Sequence, residues 1–224
     1  MNRVVFDIET LGYPLETFDE QQQQYLMKFA TTDEERAEAV QKFALTPFTG
    51  HIIAIGMLNP DTRHGKVWFE AATPDSFTLE DGAVELLAAS EKEMLEHFWE
   101  TIVHYDQYIT FNGRSFDCPF IMLRSAILGV RPTKNLLPYR FSFTEHCDLL
   151  EQLTFYNSIR KFNLDFYCKA FGIESPKSRG ITGLDLGALY EAGKFREIAE
   201  YCYGDLKATA ELYFRWQQFL AFEK

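Results

Sequence analysis

Apolar and polar positions along the chain change period several times, and each change marks an element. Arg3–Ile8 is a short β-branched and aromatic run and reads as a buried strand. From Leu15 to about Ala44 the pattern turns to Gln, Glu and Ala with spaced Phe, Tyr, Leu and Met, which predicts two helices broken near Thr31-Thr32-Asp33. Two strands follow, His51–Leu58 and Lys66–Glu70, and the turn signal Asn59-Pro60-Asp61 between them implies a hairpin. Glu91–Tyr105 repeats Met94, Leu95, Phe98, Trp99, Ile102 and Val103 at helical spacing. Tyr108–Phe111 is strand-like again, Asp117–Leu128 is a helix ended by Gly129, and Cys147–Leu150 reads as a last short strand. Leu164–Phe171, Asp185–Glu191 and Phe195–Phe222 then read as helices. Strands followed mainly by helices predict a mixed sheet flanked by helices, an α/β fold. Nothing is rich enough in Gly, Ser or Pro to divide the chain, so residues 1–224 are expected to form one domain, with a helical insertion at about 12–50. That insertion reads as a lid, a partner surface or plain structural cover.

Composition adds two constraints. Of 224 residues, 46% are hydrophobic and 25% charged, ordinary globular values that exclude a disordered or collagen-like chain. The net charge of −11 argues against coating nucleic acid through bulk charge, which needs Lys and Arg. The acidity is uneven, however: residues 1–112 hold 7 basic against 20 acidic residues, while residues 114–179 hold 10 against 6. This second stretch, with Arg114, Arg124, Arg160, Lys161, Lys177 and Arg179, is the candidate surface for an anionic partner, although a solvated face is the alternative for each side chain. Cys118, Cys147, Cys168 and Cys202 are widely spaced without metal-finger pattern and are expected to be buried thiols. With no apolar run near ~18 residues and an N-terminal run that meets acid after three apolar residues, no membrane segment or secretory signal is expected, and a cytoplasmic protein follows.

Three short segments can carry chemistry. Asp7 and Glu9 lie two apart on a strand, so both carboxylates share one face, about 7 Å apart. They are either solvated acids at a strand end or part of a site for a hard cation such as Mg²⁺ or Mn²⁺. Asp117 stands where a strand passes through Asn112-Gly113 into a helix; it is either an N-cap or a ligand at the sheet edge where α/β folds bind. Tyr201 and Asp205, at i and i+4, share a helix face, a pairing that is common by chance. His104 and His146 lack metal-binding spacing and read as structural. Gly180, Gly183 and Gly187 are not followed by Gly-Lys-Ser/Thr, so a turn into a helix is preferred to a phosphate loop.

Taken in order, Phe6-Asp7-Ile8-Glu9-Thr10, Asn112-x-x-x-Phe116-Asp117 and Tyr201-x-x-x-Asp205 resemble the three motifs of the DEDD superfamily of 3′–5′ exonucleases, in its tyrosine-bearing branch. Glu200 occupies the position of the histidine in the other branch. The continuation Cys118-Pro119-Phe120-Ile121 is similar to the proofreading domain of family-B DNA polymerases. Gly180-Ile181-Thr182-Gly183 through Tyr190, with Gly193, Ile198 and Tyr201-Cys202, resembles a stand-alone bacterial family of predicted exonucleases related to that domain.

The resemblance implies a ribonuclease H-like fold with a central mixed sheet of about five strands. It implies that Asp7, Glu9, Asp117 and Asp205 bind two divalent ions, Mg²⁺ or Mn²⁺, with Asp7 bridging them, and that Tyr201 orients the attacking water. Thr10, Leu11, Asn112 and Phe116 would contact the terminal nucleotides, Phe116 by stacking on a base; for Leu11 simple core packing is the alternative. The implied activity is hydrolysis of the 3′-terminal phosphodiester of single-stranded DNA to 5′-mononucleotides. Trimming of RNA is the alternative, and a catalytically inactive binding module is the reading from another class.

Overall fold

Val4, Phe6 and Ile8 alternate along the first strand with Arg3, Val5, Asp7 and Glu9, and in the computed structural model this alternation separates two cores. The structure describes residues 1–175, 180 and 182–222. Lys177 and Arg179, with Ile181 of the glycine-bearing segment, lie outside the described residues.

Seven strands form one mixed sheet: β1 (Arg3–Gly12), β2 (Gly50–Leu58), β3 (Gly65–Phe69), β4 (Ser76–Leu79), β5 (Val84–Ala88), β6 (Gln107–Thr110) and β7 (His146–Asp148), in the order β4-β5-β3-β2-β1-β6-β7. β1, β2 and β3 are antiparallel neighbours, whereas β6 and β7 extend β1 in parallel. On one face lie α3 (Glu91–Ile102) and α4 (Asp117–Leu128), which bury Val4, Phe6 and Ile8 with Phe98, Trp99 and Ile121. On the other lie α5 (Leu149–Leu153), α6 (Leu164–Phe171), α7 (Leu186–Glu191) and α8 (Phe195–Phe219), which cover Val5, Ala54 and Ile109 with Leu150, Cys202, Leu206 and Trp216. The α1 (Glu20–Leu26) and α2 (Asp33–Gln41) helices fill the connection from β1 to β2, and neither buries a residue.

The expected mixed sheet and its five strands are present, with differences that have local causes. β4 and β5 add two strands at the far edge; Val84–Ala88 is rich in helix formers, and it is extended because β3 and β4 pair with it on both sides. The strand expected to continue to Leu150 stops at Asp148, whose carboxylate accepts from Leu150 N at 3.0 Å and starts α5 instead. Structural cover does not describe α1 and α2, which leave the core to Phe43 in the turn after them.

Arg124 is not a solvated base. It is buried in α4, where Nε and Nη2 donate to Glu91 at 2.8 and 2.6 Å, Nη2 also donates to Tyr13 Oη at 2.8 Å, and Nη1 to Pro47 O at 3.1 Å. Glu91 in turn accepts from Ile52 N at 2.9 Å. This one ion pair therefore ties α3, α4, β2 and the residues flanking α1 and α2. Removing one member strands a buried charge, a loss that typically reaches about 3–5 kcal/mol. Arg124→Met is expected to lose stability on that scale in urea unfolding, and the double variant Arg124→Met/Glu91→Gln to recover part of it. Additive losses in the double variant would contradict the pairing.

Candidate active site

The C-terminal half of β1 is where the parallel ladder to β6 stops. Pairing runs from Arg3↔Gln107 to Val5↔Ile109, and beyond it Ile8 N donates to Asp117 Oδ1 at 3.1 Å. Asp117 is the first residue of α4, and its carboxylate bonds back to β1 instead of capping its own helix; Phe116 holds the cap position. The register of β1 against β2 shifts between Glu9 and Thr10, a bulge at the same place.

On the other face, α8 comes down onto β2 opposite Asp7. Gly56 pairs with Asp7, and a Cβ there would meet Leu206 Cδ1 at 2.6 Å and Cys202 Sγ at 2.9 Å, so only glycine admits the helix this closely. Tyr201 and Asp205 ride on α8 one turn apart and are delivered to the acids of β1. Ligand atoms of Asp7, Glu9 and Cys202 lie within 4.8 Å of one another.

The acids repel each other in a dry place. Burial, then Asp117, Glu9 and Asp205, push Asp7 well above the usual carboxylate range. Glu9 is raised in the same way by burial, then by Asp205 and Asp117. Asp117 is pushed up to about 7, chiefly by burial, although the Ile8 N–H bond pulls in the opposite direction. Burial and then Asp205, Glu9 and Asp7 raise Tyr201, which keeps its proton. Cys202 is a buried thiol held protonated by burial and by the same acids. Glu9 Oε1 is buried with no hydrogen-bond partner among the described residues. Four converging carboxylates with an unsatisfied buried oxygen fit hard divalent cations, which take oxygen ligands; a protonated thiol suits them poorly.

The structure brings Asp7, Glu9, Asp117, Tyr201 and Asp205 together. Asn112 and Phe116 flank this group: Asn112 is left-handed at φ 65°, and Phe116 is half-buried with its ring 5.5 Å from that of Phe120. Thr10 stands slightly apart, with its hydroxyl donated to Ala44 O at 2.7 Å, and Leu11 packs partly into the core beneath α7. His146 is structural, as expected: Thr110 Oγ1 is 2.9 Å from its Nε2, and burial with the nearby Arg114 charge lowers it to about 3.

Sequence reasoning missed Asp148. It is 2% exposed, and its carboxylate accepts from Asn112 N at 3.0 Å, Arg114 N at 2.9 Å and Leu150 N at 3.0 Å. It fixes the turn that aims Phe116 and Asp117. The available signal was an Asp directly before Leu149-Leu150-Glu151, the signature of a helix N-cap.

A sequence model of the family described as "Predicted 3'-5' exonuclease related to the exonuclease domain of PolB" matches residues 52–221, a span that includes Asp117, Tyr201 and Asp205 and begins after β1. Among curated proteins, DNA polymerase 1 of Sulfolobus acidocaldarius is 24% identical over 188 residues, 80% of this chain and 20% of the relative. DNA polymerase 1 of Sulfurisphaera ohwakuensis is 25% identical over 171 residues, 72% of this chain and 19% of the relative. The chain thus spans about a fifth of the curated relatives it matches. The structure of the family B DNA polymerase from the hyperthermophilic archaeon Pyrobaculum calidifontis superposes with a TM-score of 0.61 at 16% identity, covering 98% of this chain and 25% of that one. The ribonuclease H-like fold is the one this likeness supports. No helix among the described residues is long and apolar enough to cross a membrane.

Two outcomes follow from the site's electrostatics and from Asp148. A carboxyl whose folded pKa lies above its unfolded value favours the folded state when protonated. Its stabilisation is complete below the unfolded value near 3.8 and is lost as pH rises through the folded value, about 7 for Asp117. The metal-free protein is therefore expected to melt lower at pH 8 than at pH 5 by at least about 2–4 °C, the shift that 1 kcal/mol produces at this size. Mn²⁺ should raise the melting temperature more at pH 8 than at pH 5; a metal effect independent of pH would contradict the arrangement. Asp148→Ala is expected to cost about 2–4 kcal/mol in urea unfolding, because it leaves buried N–H groups unmatched. Asp148→Asn keeps one acceptor and should lose less; equal losses would contradict the role.

Proposed function

This chain belongs to the family of predicted 3′–5′ exonucleases related to the exonuclease domain of PolB, and from that premise we propose that it hydrolyses the 3′-terminal phosphodiester of single-stranded DNA, releasing 5′-mononucleotides. The observation that carries the reading is the convergence of four carboxylates, from β1, α4 and α8, in a buried notch where burial and mutual repulsion raise Asp7, Glu9 and Asp117. Residues 1–224 work as one catalytic unit in this reading, with 12–50 as an insertion.

Asp7, Glu9, Asp117 and Asp205 would hold two divalent cations, Mg²⁺ or Mn²⁺, which would supply Lewis-acid activation of water and charge stabilisation at the departing 3′ oxygen. Holding them requires the carboxylates to be ionised, so occupancy and protonation compete at the same oxygens. Glu9 Oε1, which has no hydrogen-bond partner among the described residues, is left open for that purpose. Tyr201 orients the attacking water through Oη. Its raised pKa excludes it as a base near neutral pH, so it serves as a neutral hydrogen-bonding group. Asp148 holds the Asn112–Arg114 turn, and so keeps Asn112 and Phe116 facing the terminal nucleotide, with Phe116 offering a ring to its base. Thr10 contributes through its backbone, because its hydroxyl is engaged by Ala44.

The test is digestion of 5′-labelled and 3′-labelled DNA and RNA oligonucleotides with Mg²⁺ or Mn²⁺, with and without EDTA. DNA should shorten from the 3′ end, releasing mononucleotides. Asp7→Asn and Asp205→Asn should each lower kcat at least about 10³-fold, or about 4 kcal/mol. Tyr201→Phe is expected to slow turnover about 10–100-fold while leaving Mn²⁺ binding, measured by calorimetry, unchanged. Activity that survives Asp7→Asn would remove the site assignment, loss of metal binding in Tyr201→Phe would contradict its role, and a preference for RNA would reassign the substrate.

A further inference from the structure

The residues on either side of β7 and after α5 place aromatic rings on the surface, interleaved with cations. Tyr139 is 73% exposed, Phe141 and Phe155 are each 54% exposed, and Phe166 is 52% exposed. Phe141 packs edge-on between Tyr139 and Tyr156, with ring centroids 5.8 and 5.0 Å away. Phe162 and Phe166 are stacked at 4.1 Å, and the Arg160 guanidinium sits 4.9 Å over Phe162. Phe155, Tyr156 and Asn157 have φ of 49, 56 and 72°, three successive left-handed residues without a glycine, in the turn that presents the Phe155 ring to solvent. In the locally basic stretch, Arg124 is spent on Glu91, Arg114 and Arg140 on Glu151, and Lys169 on Asp165. Arg160 and Lys161 are exposed and have no acidic partner among the described residues.

Two chains of contacts connect this surface to the candidate site. Arg114, two residues past Asn112, donates from Nη1 to Pro138 O at 3.0 Å and pairs with Glu151, which also binds Arg140 at 2.6 Å. Phe111, just before Asn112, packs on Tyr167, which packs on Phe162. The aromatic surface is thus anchored at the same C-terminal edge of β6 and β7 as the turn that carries Asn112 and Asp117.

We infer that this surface is the track for the single strand upstream of the 3′ end, with Tyr139, Phe141, Phe155 and Phe166 stacking on bases and Arg160 and Lys161 meeting phosphates. The inference rests on the exonuclease reading of the site. Rings interleaved with unpaired cations suit a single strand, which offers a base face and a charge at each nucleotide. The core of a protein interface is depleted of charge and of Lys, so a protein partner fits less well. On a chain of net charge −11, capture falls to such a local surface.

The variants Phe155→Ala/Phe166→Ala and Arg160→Glu/Lys161→Glu change exposed side chains only. Their probes are the p-nitrophenyl ester of thymidine 5′-phosphate, which engages the catalytic centre alone, and oligothymidylates of about 3 and about 20 nucleotides, below and above the span of one single-strand site. Each variant is expected to raise KM on the long strand about tenfold, the loss of roughly one stacked base, and to change the ester and the short strand less than about twofold. The charge variant should also lower the salt dependence of KM. Unchanged KM on the long strand, or equal loss on the ester, would overturn the track. If the wild-type protein hydrolyses none of these, the exonuclease reading fails by itself. Fluorescence anisotropy of the labelled long strand then decides the track alone: about tenfold weaker binding by the variants upholds it, and equal binding by wild type and variants overturns it.

Discussion

Everything at the candidate site depends on mutual repulsion of carboxylates that the fold does not let apart. Asp7 and Glu9 are fixed on one face of β1 by strand geometry, Asp117 is held against β1 by the Ile8 N–H, and Asp205 is brought in by α8. Asp7 and Glu9 are held by strand geometry and Asp117 by a backbone N–H, and burial leaves all three carboxylates poorly solvated. The raised pKa values of Asp7, Glu9 and Asp117 measure the result, and burial is its largest cause in all three. A notch of this kind is a poor place for an acid and a good place for a divalent cation. The stability lost by arranging it is offset elsewhere in the structure, in two cores packed on opposite faces of the sheet.

The packing shows where the constraint is enforced. Gly56 lets α8 approach β2 until Leu206 and Cys202 fill the space a side chain would need, and the same approach sets the height of Tyr201 and Asp205 over β1. On the opposite side, Asp148 grips the Asn112–Arg114 turn through two backbone N–H groups, which sets where α4 starts and hence where Asp117 points. One acid is therefore used to position another. The buried Arg124–Glu91 pair performs a comparable task at the other end of α4, where it joins that helix to α3 and to Tyr13.

Much of this was legible along the chain because it rests on local periodicity. The β1 alternation, the Asn59-Pro60-Asp61 turn and the amphipathic α3 all report themselves within a window of a few residues, and the i,i+4 spacing of Tyr201 and Asp205 puts them on one face. What was not legible depends on neighbours distant in sequence. β5 has the composition of a helix and is extended because β3 and β4 pair with it. Arg124 looks like any surface base until Glu91, 33 positions away, is seen beneath it. Asp148 resembles a strand residue, and its role becomes visible only when the turn it holds, 36 positions earlier, is placed beside it.

Charge follows the same division between local and global reading. A net −11 suggests a molecule that a polyanion avoids, yet that total counts acids confined to the notch together with those exposed on α1, α2 and α3. On the proposed reading, two divalent ions held by Asp7, Glu9, Asp117 and Asp205 would bring +4 against the −4 of those acids, so the notch would cease to repel a phosphate and would offer it metal ligation. The basic stretch divides as well: Arg114, Arg124, Arg140 and Lys169 serve ion pairs, while Arg160 and Lys161 stand beside exposed rings. Attraction of a strand to this protein is then short-ranged. On the proposed reading it depends on a metal-loaded notch and a narrow aromatic surface beside it, so binding is expected to respond both to the occupancy of the acids and to ionic strength.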